Sequence, residues 1–159
     1  MNKPDTCRVC PAYGDGKGYV ADELADGAPY LVVGGIPNKD AIAAGHPFSG
    51  ALGDEYAEKY FPRGGVERGR NPVVTFHNGF PVWETDDGNV SFNYIIRCKG
   101  PATPETIAHC RQYDIIQETI SLIVACGELA WSTTSDNAGK VLDWRGGITK
   151  RERNPRDNT

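Results

Sequence analysis

Apolar positions in this chain come in short blocks separated by glycine- and proline-rich stretches. Tyr30-Leu31-Val32-Val33-Gly34 is a β-branched run stopped by glycine, which predicts a buried strand. Pro72-Val73-Val74-Thr75-Phe76 predicts a second strand, and Leu122 to Cys126 another buried one. Asp86-Asp87-Gly88, between Val82-Trp83 and the run Val90 to Arg97, is a hairpin-type turn signal. Helical spacing occurs from about Ala51 to Phe61, where Leu52, Tyr56, Ala57 and Tyr60 fall on one side. Thr103-Pro104-Glu105-Thr106 opens a helix, with Thr103 as cap and Pro104 in the first turn, expected to run to about Ser121. Gly127-Glu128 starts a short helix, and the first 29 residues read as irregular. Strands alternating with helices predict an α/β domain, a three-layer sandwich around a mainly parallel central sheet.

At 159 residues the chain is expected to be a single domain with a real core. Its 39% hydrophobic and 24% charged composition is that of a folded globular protein, not of a disordered segment. The longest apolar stretches, such as Ile120 to Cys126, are too short for a membrane helix. Met1-Asn2-Lys3-Pro4-Asp5 leads into no apolar segment, so the expected location is the cytoplasm. A net charge of −4 excludes a protein that coats nucleic acid indiscriminately, yet permits a local basic site. Nineteen glycines and eleven prolines imply many loops.

Five cysteines in such a chain do not suggest a disulfide framework. Cys7 and Cys10 form a C-x-x-C pair, while Cys98 and Cys110 have 11 residues between them. Cys126 sits in the Leu122 to Cys126 run and reads as a small hydrophobe. Four thiolates from two distant pairs suit Zn²⁺ or an iron–sulfur cluster, and spacing does not separate the two.

The order of several motifs resembles that of the iron–sulfur uracil-DNA glycosylases. The matching residues are Cys7-x-x-Cys10, then Leu31-Val32-Val33-Gly34-Gly35-Ile36-Pro37-Asn38, then Gly45-His46-Pro47-Phe48-Ser49-Gly50. Asn93-Tyr94-Ile95-Ile96-Arg97-Cys98-Lys99-Gly100-Pro101 follows, then Thr103 through Cys110, Ile123 to Ala130, and Asp143-Trp144-Arg145-Gly146. The resemblance spans nearly the whole chain. It implies a uracil-DNA glycosylase-like sandwich that swings a base out of DNA into a pocket and hydrolyses the N-glycosidic bond of deoxyuridine. Phe48 would be the stacking ring and Asn93 the amide that reads the base edge, with Ile36 and Pro37 also in contact with the base. Gly34, Gly35 and Asn38 would form the loop that handles water. Cys7, Cys10, Cys98 and Cys110 would hold a structural [4Fe–4S] cluster, with Zn²⁺ the alternative, and Arg97 and Lys99 would contact DNA phosphates.

Two departures from the family pattern accompany these matches. The family's Gly-Glu-x-Pro-Gly reads here as Gly34-Gly35-Ile36-Pro37-Asn38, without the acid. No His-Pro-Ser motif follows Asp143-Trp144-Arg145-Gly146, and the three histidines, His46, His77 and His109, stand in other contexts. A leaving base without its donor loses about 3–4 kcal/mol of transition-state stabilisation, by analogy with a deleted oxyanion donor. The domain is therefore expected to lack the family's last strand and catalytic loop. Either another polypeptide supplies them, or the chain is a catalytically silent subunit for assembly or DNA docking in a replication or repair complex of the phage polymerase type. A missing last strand would leave a sheet edge to be paired or covered. Other readings of the same residues are a core aromatic for Phe48, an edge amide for Asn93, and a solvated basic tail for Lys150, Arg151, Arg153 and Arg156.

Overall fold

The computed structural model of the chain describes residues 1–135. The Asp143 to Gly146 motif and the basic tail therefore lie outside the described residues. The apolar blocks assemble into a six-stranded sheet: β1 (Glu23–Ala25), β2 (Tyr30–Gly34), β3 (Val73–His77), β4 (Phe80–Thr85), β5 (Val90–Tyr94) and β6 (Leu122–Cys126). Their order across the sheet is β3-β4-β1-β5-β2-β6. β2 pairs in parallel with β5 on one side and β6 on the other, so that Gly34, Tyr94 and Cys126 stand level at the carboxyl ends. β1 is parallel to β4 and antiparallel to β5, and β3 is antiparallel to β4. The result is a mixed α/β fold with a mixed sheet.

Helices cover both faces of the sheet in a three-layer-like arrangement. On one face, Val20, Val32, Val90, Phe92 and Tyr94 pack with Phe48 and with Ala41 and Ile42 of α1 (Lys39–Ala44). On the other, Leu31, Val33, Ile95 and Ile96 pack with Cys110 of α3 (Pro104–Arg111) and Ala130 of α4 (Glu128–Thr134). α2 (Ala51–Glu55) continues into a wider π-helical turn over Tyr56–Tyr60. No helix among the described residues is long and apolar enough to cross a membrane.

Several local expectations meet the structure directly. Thr103 caps α3, its hydroxyl accepting from the Thr106 amide, with Pro104 in the first turn. The helix ends at Arg111 rather than near Ser121. The hairpin is elsewhere than expected. It joins β3 to β4 through Asn78-Gly79, both at positive φ (50° and 81°), as a type I′ turn demands. Asp86-Asp87-Gly88 instead lies in the short link 86–89 between β4 and β5, which are not neighbours because β1 inserts between them. That strand lies in a segment expected to be irregular. Its Asp22 and Glu23 disguise a buried run, Tyr19 to Ala25, in which both acids are buried among apolar neighbours. β6, expected to be buried, is an edge strand of the described sheet with Leu122, Ile123 and Val124 exposed. Leu52 and Tyr60 are also exposed, so the face they share is not the core face.

The buried acids need partners. Arg97 is 4% exposed and binds Asp22 through both Nε (2.8 Å to Oδ1) and a terminal nitrogen (2.7 Å to Oδ2). It also donates to Asp114 Oδ1 (2.8 Å) and to the Cys110 carbonyl (2.7 Å), tying the β1 region to the end of α3. Removing one member of a buried ion group leaves the others desolvated and unpaired. Arg97→Met should therefore destabilise the domain by about 3–5 kcal/mol in urea unfolding. A loss below about 1 kcal/mol would contradict the role assigned to this network.

Candidate functional site

In an open α/β sheet, ligands bind beyond the carboxyl ends of parallel strands, where successive connections leave to opposite faces. That condition is met here. The chain leaving β2 passes to α1 on one face, whereas those leaving β5 and β6 reach α3 and α4 on the other. The segments around this point are the loop 34–38, the turn 45–50, Tyr94 and Gly127. The geometry of the turn follows from a few contacts. Gly45 ends α1 in the left-handed region (φ 64°). Phe48 is also left-handed, at φ 50°, an outlier for a bulky side chain. Gly53 must be glycine, because a Cβ there would overlap the Phe48 carbonyl.

A buried ion pair holds this turn. Glu23 on β1 is fully buried and receives Arg68 through Nε (3.2 Å) and a terminal nitrogen (2.6 Å). The same guanidinium donates to the carbonyls of Pro47 (2.5 Å) and Phe48 (3.2 Å) and lies over the Phe92 ring at 4.4 Å. His46 Nε2 is 2.9 Å from Glu23 Oε2, although out of hydrogen-bond alignment, and Nδ1 is 3.0 Å from the guanidinium. The His46 ring meets Trp83 edge-on, and Trp83 Nε1 donates to the Gly45 carbonyl (2.8 Å). Burial raises the Glu23 pKa, but the neighbouring His46 and Arg68 nitrogens outweigh it and hold the carboxyl below its usual range. None of Glu23, Arg68, Trp83 or Tyr94 was a candidate from sequence, since their roles depend on residues that only the folded sheet brings together.

On the opposite side of the turn, the Tyr94 ring lies parallel to Phe48, with centroids 5.1 Å apart and planes at 6°. Its hydroxyl accepts from the Phe48 amide at 3.1 Å. Phe48 is consequently only 7% exposed and belongs to the core. Gly34 runs beside both rings: a Cβ there would stand 2.5 Å from the Tyr94 ring and 3.1 Å from Phe48. A Cβ on Gly35 would stand 3.2 Å from Leu129 on α4, so packing as well as sequence opposes an acid at this position. Ile36 is exposed and Pro37 buried, while Asn38 caps α1, its Oδ1 accepting from the Ala41 amide (2.8 Å).

Asn93 is not brought together with Phe48. It lies between Phe92 and Tyr94, which both pack on the Phe48 face, so strand alternation directs it to the other face of the sheet. It is 6% exposed there, and its Oδ1 has no hydrogen-bond partner among the described residues. Arg97, expected at a phosphate, is instead enclosed by Asp22 and Asp114. Lys99 is exposed and forms an isolated antiparallel bridge with exposed Lys17, placing two cations side by side.

The expected cofactor requires a correction. Cys7, Cys10, Cys98 and Cys110 line one small cavity together with Lys3, Tyr19 and Arg97. Yet among the described residues no group of three or more His, Cys, Asp or Glu is arranged to hold a metal ion. Burial, then the neighbouring cysteines, push Cys7 up to about 11, and burial raises Cys98 and Cys110 as well. The Lys3 ammonium also reaches this corner, donating to the Tyr13 and Gly16 carbonyls. The expectation of an iron–sulfur or zinc-binding hydrolase is therefore withdrawn, and all five cysteines are free thiols.

Compared with known protein families and with curated proteins, the chain matches none.

The clamp gives a pH prediction. A carboxyl whose pKa is depressed by folding contributes stability above its unfolded value, which is lost as pH falls through the folded value. The domain should lose stability as the pH drops below about 4.5, the ordinary glutamate value. In Glu23→Gln this part of the acid sensitivity should vanish, with about 3–5 kcal/mol lost at pH 7. Chemical unfolding of both proteins from pH 7 to 3 measures it, and parallel curves would contradict the assignment.

Proposed function

We propose that this chain is a uracil-DNA glycosylase-like domain that docks on DNA, as a subunit of a replication or repair assembly, without excising a base. The motif order across nearly the whole sequence supports the family resemblance. The crevice at the carboxyl ends of β2, β5 and β6 is where such a domain would meet a nucleotide. The observation that carries the non-excising reading is the Phe48–Tyr94 stack. The ring that would receive a flipped base is already covered by an aromatic ring of the same chain. Two further observations favour it. Phe48 and Asn93 lie on opposite faces, so they cannot grip one base together in this arrangement. Gly35 carries no acid and has little room for one.

Docking is then a matter of phosphate contact, which needs cations free of internal partners. Among the described residues Lys17 and Lys99 form such a pair, whereas Arg97 does not. The net charge of −4 restricts binding to a local basic spot and makes it sensitive to salt.

Fluorescence anisotropy with single-stranded and duplex oligonucleotides, in parallel with an excision assay on uracil-containing DNA, tests this reading. The expected result is salt-dependent binding without strand cleavage after alkaline treatment. The double substitution Lys17→Gln/Lys99→Gln should weaken binding uniformly across sequences and reduce the salt slope by about 0.7 per cation on single strands. Excision by the protein alone would overturn the silent reading. No binding to either DNA at low salt would overturn docking.

A further inference from the structure

β3 ends the sheet at the side away from β6, and its outer edge meets no strand among the described residues. Such an edge presents unpaired N–H and C=O groups, which proteins usually blunt with lysine, proline or a bulge. Val73-Val74-Thr75-Phe76-His77 holds no lysine, arginine, aspartate or glutamate, and Pro72 only precedes it. Its register with β4 is unbroken over five pairs, so no bulge turns it aside. The apolar side chains stand in solvent nonetheless, Phe76 at 71%, Val73 at 62% and Val74 at 40% exposure. One such residue is ordinary, but three on a five-residue edge mark a contact surface.

This edge is complementary to itself. Antiparallel pairing of two copies about a two-fold axis at Thr75 uses the whole strand: Val73 meets His77, Val74 meets Phe76, and Thr75 meets its own equivalent. Val74 and Phe76 share one face of the sheet with Trp83 and Pro81, their cross-strand neighbours on β4. The two-fold therefore extends an apolar row from Trp83 through Val74 to the second copy's Phe76, and the equivalent row runs beside it. Charge matches on the other face. There His77 Nε2 and Glu84 Oε1 lie 2.6 Å apart within one copy. The two-fold sets each His77 beside the second copy's Val73, whose neighbour on β4 is that copy's Glu84. Each imidazole thus approaches a second carboxylate, while the two Glu84 side chains stay at opposite ends of the seam.

We infer that β3 is the contact strand of an isologous dimer, in which it pairs with β3 of a second copy and joins two sheets into one. A foreign strand would satisfy the same backbone groups, but the match of Val74 to Phe76 and of Glu84 to His77 under a single two-fold selects a second copy. A pairing of five residues falls short of the about 1,200 Å² that a stable interface buries. The dimer is therefore weak and reversible, and becomes populated as concentration rises. The opposite edge differs: β6 leads through α4 into the chain beyond residue 135, five strand positions from β3. The contact uses neither the crevice nor Lys17 and Lys99, so it stands apart from DNA docking.

Sedimentation equilibrium of the full chain, from micromolar to millimolar concentration, tests this. The average mass should rise from monomer towards dimer and no further, because a two-fold contact closes on itself. Phe76→Lys, and separately Val74→Lys, should raise the dissociation constant by about tenfold or more. Both side chains are exposed, so neither change should lower the unfolding midpoint of the dilute protein. Cysteine cross-linking reads the register. Thr75→Cys should give a reducible covalent dimer on mild oxidation, since its copies face each other, whereas Val73→Cys should stay at the wild-type background. A monomer at every concentration would overturn the dimer. A dimer that both lysine variants leave intact, or that Val73→Cys links as readily as Thr75→Cys, would overturn the contact assigned to β3. Protection of every amide from Val73 to His77 in the dilute monomer would show the edge covered by other means, and would overturn it as well.

Discussion

The pairing of Arg68 with buried Glu23 is the constraint on which the site depends. A carboxylate with no exposed surface must be neutralised and hydrogen-bonded, and one guanidinium does this through two nitrogens. Because a guanidinium has donors to spare, the same group also secures two carbonyls of the Gly45–Gly50 turn. The energetic requirement of one strand thereby fixes the conformation of a distant loop. Phe48 retains its left-handed backbone, and its ring is set into the core against Tyr94.

A second buried ion group, anchored on the neighbouring residue Asp22, performs a comparable task. Arg97, held by Asp22 and Asp114, joins the β1 region to α3 beside the four-cysteine cavity. Asp22 and Glu23 are adjacent in sequence, and one acid answers each arginine. The segment 19–25 therefore acts as a keystone: it completes the sheet between β4 and β5 and anchors both arginines. Of the cysteines beside it, Cys98 and Cys110 are buried and Cys7 and Cys10 half-buried, all as free thiols.

Much of the architecture was legible from local chemistry. β2 follows from an uninterrupted β-branched run ending in glycine, and the start of α3 from a threonine cap with proline behind it. Both signals are contained within a few residues. β1 was hidden because its acids look like surface residues until Arg68 and Arg97, far along the chain, are brought to them. The hairpin was misplaced for a related reason. Asp-Gly and Asn-Gly turns look alike in sequence, and only the insertion of β1 decides which pair of strands is adjacent. At the site, Gly34 was legible as a motif residue and Gly35 as a departure from it, but the close packing of Tyr94 and Phe48 on the first and of Leu129 on the second was not. Nor could the pattern reveal that Asn93 and Phe48 lie on opposite faces, since this depends on the phase of alternation along β5.

The central claim is that the Phe48 ring is closed off by Tyr94 in the native protein. Nuclear Overhauser spectroscopy on the wild-type chain, combined with amide hydrogen exchange at Phe48, addresses it most directly. The account predicts ring-to-ring cross-peaks between Phe48 and Tyr94 and an Phe48 amide protected to nearly the global unfolding limit. Absent cross-peaks with a freely exchanging Phe48 amide would contradict it, and would mean that the platform stands open.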